Sequence, residues 1–140
     1  MFDHERLDVY RVSMTFVAWA YRLCKRLKGF DRHARDQLLR SSQSIPLNIA
    51  EGNGKPPSAD RNRFFRIALG SALECAATID VLIACEAIDS KTGNDGKRLL
   101  VRIVSMLVKM SSVPMQVRES SEYAYAYEYE NEYDNDNENE

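Results

Sequence analysis

The sequence predicts an all-α fold, an antiparallel up-and-down four-helix bundle with a disordered acidic C-terminal tail. Three observations predict it. Apolar residues recur at helical spacings of three and four from residue 6 to residue 113. Breaks at Gly29, at Gly52-Asn-Gly-Lys-Pro-Pro57 and at Asp89-Ser-Lys-Thr-Gly-Asn-Asp-Gly96 divide that pattern into four segments. Composition then changes abruptly after Arg118, so residues 1–118 read as one bundle domain and residues 119–140 as a low-complexity tail.

The first helix is expected over residues 6 to 28, with Val9, Phe16, Ala20, Leu23 and Leu27 on one stripe. A second apolar stripe, Tyr10, Val17, Tyr21 and Cys24, implies a second packing partner, and another subunit is one candidate. Gly29 stops this helix, after a basic last turn that complements the helix dipole. Asp31 is placed to cap the second helix, which runs through Leu38, Ile45 and Ile49 to Gly52. Pro46 lies inside it and lacks the N–H that would bond to the carbonyl of Ser42, so a kink or restart is expected there. Neighbouring Ser, Gln and Asn side chains can satisfy the freed carbonyl.

Ser58 is a good N-cap for a third helix extending to about Ile88, with Phe65, Ala68, Leu69, Ala72, Ala76, Ile79 and Ile83 as its core stripe. Small residues let helices approach closely, and Gly70-Ser71 is the expected point of nearest approach. The fourth helix is expected from Arg98 to Val113, capped by Asn94 or Asp95 and ended before Pro114.

The formal net charge of -2 conceals a segregation: all 19 Lys and Arg lie at or before Arg118, against 12 of the 21 acids, so residues 1–118 carry +7. Such a body favours polyanionic partners, although mixed surface charge for solubility fits as well. Arg22, Lys25, Arg26, Lys28, Arg32 and Arg35 surround the first helix–helix turn, while Arg61, Arg63 and Arg66 open the third helix near the next turn. The two groups therefore belong at opposite ends of the bundle. No aromatic platform accompanies them in this reading, which argues against stacking of single strands. The tail holds five of the seven tyrosines and nine acids and reads as a solubilising segment, or as a mimic of nucleic acid that competes for the basic body.

Three cysteines without a Cys-x-x-Cys pair read as reduced residues of an intracellular protein. The N-terminus is no signal peptide and no apolar run reaches the length of a membrane span, so a soluble cytoplasmic protein is expected. His4 and His33 are the only histidines, and neither follows a Glu by three residues. A di-iron bundle site is thus not expected, nor any other metal or cofactor. The serines have no histidine base, and Gly52-Asn-Gly54 lacks the residues of a phosphate loop. Glu51 and Glu74 read as buried or half-buried carboxylates paired with Arg40 or Arg66 rather than as an acid–base pair. No enzymatic activity or small-molecule substrate is expected.

The stretch Arg40-Ser-Ser-Gln-Ser-Ile-Pro-Leu-Asn-Ile-Ala-Glu-Gly52, with Phe64-Phe-Arg-Ile-Ala-Leu-Gly-Ser-Ala-Leu-Glu74, resembles the four helix bundle family of bacterial 23S ribosomal RNA intervening-sequence proteins. Arg40, Ser44, Pro46, Asn48, Glu51, Gly52, Gly70, Ser71 and Glu74 carry its motif, Leu7-Asp8-Val9-Tyr10 resembles its start, and the likeness covers about residues 5 to 115. The link at residues 89–96 departs from that pattern. The family is in turn similar to accessory variability determinant proteins of diversity-generating retroelements, pentameric barrels that bind nucleic acid through a basic surface. That resemblance implies a homopentamer with Tyr10, Val17, Tyr21 and Cys24 in the subunit contact. The expected function is interaction with RNA or DNA backbone; the alternative is a protein-interaction scaffold.

Overall fold

The computed structural model describes residues 1–111. Four helices account for most of them: α1, Asp8–Cys24; α2, Arg32–Asn53; α3, Ala59–Ala84; and α4, Ser90–Met110. Two short 3-10 turns, Asp3–Arg6 and Gly29–Asp31, precede α1 and α2, and no strand occurs among the described residues. Each helix packs on two others in a ring, α1 and α3 each against both α2 and α4. The links are short, so consecutive helices run antiparallel. The tail, the domain boundary at residue 118 and the expected end of the last helix at Val113 lie outside the described residues.

The apolar stripes close on one core. Phe16, Leu38, Ile45, Ile49, Phe65, Ile79, Leu82, Leu100, Ile103 and Leu107 are all less than 2% exposed. Burying each such side chain contributes roughly 1.5–3 kcal/mol, which holds four helices together where propensity alone would not. α3 is apolar enough over 18 residues to match a membrane span, with a mean hydropathy of 1.8, but half of that window is buried inside the bundle. Its apolar length goes into packing between α2 and α4.

Several boundaries differ from the sequence expectation. α1 ends at Cys24 rather than at residue 28: the N–H groups of Arg26 and Leu27 bond back to Leu23 and Cys24, tightening the last turn, and Leu27 folds inward at 3% exposure. Gly29 then takes φ +64°, where a side chain would be strained. Asp31 occupies the N-cap position of α2 without its side chain bonding there. α3 ends at Ala84 rather than near Ile88, because Glu86 adopts φ 59° and the N–H groups of Ala87 and Ile88 return to the Leu82 carbonyl. That is the ending usually built around a glycine. Ser58 caps α3 as expected, accepting from the Arg61 N–H at 3.1 Å.

The largest correction is at α4. It begins at Ser90, capped by Asp89, whose Oδ1 accepts the Thr92 N–H at 2.7 Å. Asn94 and Asp95 are therefore inside the helix, not caps. Gly93 and Gly96, read as linker residues, are buried helix positions that make room for neighbours. A Cβ on Gly93 would sit 2.5 Å from Ile83 Cδ1, and one on Gly96 2.3 Å from Trp19 Cη2.

Candidate nucleic-acid interface

α2 runs unbroken through Pro46, which is buried. Polar side chains bond to carbonyls in the adjoining turns: Ser42 Oγ donates to Leu39 O at 3.0 Å, and Asn48 Nδ2 donates to Ser44 O at 2.8 Å and to Ser44 Oγ at 3.0 Å. Ser71 Oγ donates to Ser44 Oγ at 2.9 Å across to α3, and Cys75 Sγ donates to Ser41 Oγ at 3.1 Å. The Ser71–Ser44 and Cys75–Ser41 bonds thus pin α2 to α3 in one register. The nearest approach is at Gly52 and not at Gly70: a Cβ on Gly52 would lie 2.8 Å from Phe65 Cε1, whereas nothing stands within 4 Å of one on Gly70.

The motif acids also differ from expectation. Glu51 and Glu74 are exposed, as are Arg40 and Arg66, and no ion pair among the described residues joins them. A carboxylate kept in water gains little from a distant cation, so no buried pair fixes register here. The half-buried cross-helix ion pair is instead Lys97 with Asp80, between α4 and α3.

The two basic groups lie at opposite ends, as the topology requires. At the α2–α3 end the cations are already engaged. Asp60 receives Arg63 Nη2 at 3.2 Å and Lys55 Nζ at 3.4 Å, and the Arg63 hydrogen bond above all, with Lys55, holds its carboxyl below the usual range. Lys55 and Arg63 lie 5.2 and 4.6 Å from the centre of the Phe64 ring, and Arg61 stands 5.4 Å from that of Phe65 while donating to the Lys55 carbonyl. Arg66, one helical turn on, is exposed.

The α1–α2 end is different. Arg22, Lys25, Arg26, Lys28 and Arg32 are exposed and none is in an ion pair among the described residues. Lys25 lies 4.9 Å over the Tyr21 ring. Of the six, Arg35 alone is in an ion pair: its Nε meets Asp36 Oδ1 at 3.1 Å and its Nη1 donates to Leu27 O at 3.4 Å, so it ties the turn together. Beside this end lies a cleft of about 240 Å³ lined by Leu23, Arg26, Leu27, Ala87, Ile88, Asp89 and Thr92. The Asp89 carboxyl is held below its usual range, first by the Thr92 N–H and only last by Arg26.

Sequence reasoning missed the aromatics of this surface. Phe30 sits at the tip of the α1–α2 turn at 105% relative exposure, and Tyr21 is 51% exposed. Phe30 belongs to neither neighbouring helix's apolar stripe, and that was the available signal. The second stripe on α1 is not one exposed surface. Tyr10 packs against the core and edge-on to His4 at 4.8 Å, and Val17 is half-buried. Cys24 is 4% exposed, with its thiol donating to Arg35 O at 3.6 Å, so it cannot meet another subunit. The exposed aliphatic side chains lie elsewhere: Leu47 on α2, 65% exposed, and Ile67 and Val81 on α3.

The four-helix ring with this α2–α3 seam leads to the comparison that decides the family. The profile of the 23S rRNA-intervening sequence protein family matches residues 5–109. The chain belongs to that family. A crystal structure of a protein with unknown function from the S23 ribosomal protein family of Bacteroides thetaiotaomicron is similar to it, with 26% identity and a TM-score of 0.69. The match covers 75% of this chain and 99% of that one. No curated protein matches the chain. Membership of the 23S rRNA-intervening sequence family thus accounts for the bundle and its α2–α3 motif, and the acidic tail lies beyond the matched residues.

Proposed function

We propose that this member of the 23S rRNA-intervening sequence family is a non-enzymatic cytoplasmic protein that self-associates and binds the backbone of RNA or DNA through its α1–α2 end. The observation that carries the reading is the set of exposed cations Arg22, Lys25, Arg26, Lys28 and Arg32, with no ion pair to any described carboxylate. Free guanidinium and ammonium groups release the condensed counterions of a polyanion on binding, and assembly multiplies the gain. By likeness to the pentameric accessory variability determinants, the assembly is a homopentamer. The α2–α3 face is its contact, since it exposes Leu47 and Ile67 beside charges of both signs, Arg40, Arg66, Glu51 and Glu74. The same aliphatic exposure supports the second reading, a scaffold for another protein.

Light scattering of the full chain, together with binding of a labelled structured RNA and a DNA duplex across a salt series, tests this. Five phosphate contacts predict a slope of log K against log salt of about -4 to -5 per subunit engaged, and Arg22→Ala with Arg32→Ala should reduce it by about 2. An oligomer that binds neither polymer at low salt refutes the nucleic-acid reading and leaves the scaffold. A monomer refutes self-association.

A further inference from the structure

We infer that Phe30 is a stacking platform for unpaired bases, so that the α1–α2 end takes single-stranded nucleic acid in preference to duplex. The inference rests on the proposed polyanion binding and specifies its substrate. Leu27 and Phe30 frame the turn, and they diverge: Leu27 is 3% exposed and closes the core, whereas Phe30 is fully exposed. Gly29, at φ +64°, reverses the chain between them, and the Asp31 N–H bonds to Lys28 O at 3.3 Å. The ring is thereby held outward by a hydrogen-bonded turn.

Phe30 adds nothing to the core, and an exposed ring forgoes the stabilisation burial would give. Both its faces are open. That separates it from Phe64, which Lys55 and Arg63 already approach, and from Tyr21, which has Lys25 over it. The choice of occupant follows from charge. Lys28 and Arg32 flank Phe30 within two residues, and Arg22, Lys25 and Arg26 lie in the turns before it. An apolar protein surface would satisfy the ring and strand the cations, whereas a nucleic-acid strand offers phosphates to the cations and a planar base to the ring. A duplex keeps its bases stacked on one another, so only an unpaired base is available to Phe30.

The test uses the full chain, a short fluorescent oligouridylate, a duplex of equal length, and vesicles containing anionic phospholipid. Wild type should bind the single strand more tightly than the duplex. Phe30→Ala should weaken single-strand binding by roughly 5-fold to 150-fold and leave duplex binding unchanged. Phe30→Tyr should restore it, while Phe30→Leu, apolar but not planar, should behave like alanine. Thermal midpoints should be equal throughout, because the ring packs on nothing. Salt-sensitive binding that Phe30→Ala does not alter overturns this inference and leaves the proposed function standing. Absence of any binding by wild type overturns both. Full affinity in Phe30→Leu, or loss of vesicle binding in Phe30→Ala with RNA binding unaffected, overturns stacking in favour of apolar insertion.

Discussion

Replacing Gly96 by alanine opposes two effects of known sign. An alanine in a helix interior is about 1 kcal/mol more favourable than a glycine, so propensity alone predicts a gain. The position, however, is buried beneath the only tryptophan, and the new Cβ would stand 2.3, 2.5 and 2.7 Å from three atoms of the Trp19 ring. Ordinary carbon contacts lie near 3.5 Å, so the ring must retreat by about 1 Å. It has little room, because it stacks on Phe16 at 5.6 Å and Phe16 is wholly buried. Overpacking of this kind costs about 1–3 kcal/mol, so the net is a loss of about 1 kcal/mol, which lowers the melting temperature of a domain this size by about 4 °C. Thermal unfolding followed by helical circular dichroism measures the loss, and the emission maximum of Trp19 reports the displaced ring. A Gly96→Ala protein that melts at or above wild type with unchanged emission would refute the packing argument for α4.

Gly70→Ala provides the contrast: with nothing within 4 Å of the new Cβ it should raise the melting temperature of the dilute subunit, by up to about 1 kcal/mol of stability. If the α2–α3 face is the subunit contact, the same change should weaken assembly by light scattering. Ser44→Ala should cost about 1 kcal/mol by urea titration and be non-additive with Ser71→Ala, because the two hydroxyls share one hydrogen bond; full additivity would dismiss that coupling. Burial pushes the Cys24 thiol up to about 11 and the Cys75 thiol up to about 12. The folded chain therefore keeps protons that the unfolded chain releases above about 9, and stability falls from there as pH rises toward the folded values. Urea midpoints from pH 8 upward should decline, less so in Cys24→Ser and Cys75→Ser, and in the native protein a thiol reagent should modify exposed Cys85 first.

The four helices were legible because their stripes repeat along the chain, and Leu23, Ile45, Ile79 and Leu107 fall in the core where spacing places them. What spacing does not carry is the identity of the neighbour. Gly93 and Gly96 read as a linker because glycine is a helix breaker in isolation, whereas here each is the gap that Ile83 or Trp19 fills. Pro46 read as a kink or restart because its missing hydrogen bond is visible in the sequence; Asn48 ties the turn to Ser44 within α2, and Ser44 is held in turn by Ser71, 27 residues away on α3. At the candidate site the cations and their two ends were legible from topology. Which cations are free was not, because Asp60 serves Lys55 and Arg63 through the fold of the α2–α3 turn.

The family motif divides into two sets when placed on the bundle. Pro46 and Gly52 are buried, Ser44 and Ser71 hydrogen-bond across the α2–α3 seam, and Asn48 donates to Ser44, so each has a role within one subunit. Arg40, Glu51, Gly70 and Glu74 have no such role: they are exposed, and none of the three charged residues is in an ion pair among the described residues. A glycine in an exposed helix interior costs stability without any neighbour in the subunit to require it. That cost makes sense if another surface comes to rest on Gly70, and Arg40, Glu51 and Glu74 around it then supply charges of both signs for a copy of the same face. The nucleic-acid surface proposed at the α1–α2 end would in that case be separate from the face that assembles the subunits, and Gly70→Ala should weaken assembly while leaving the single-strand affinity of each subunit intact.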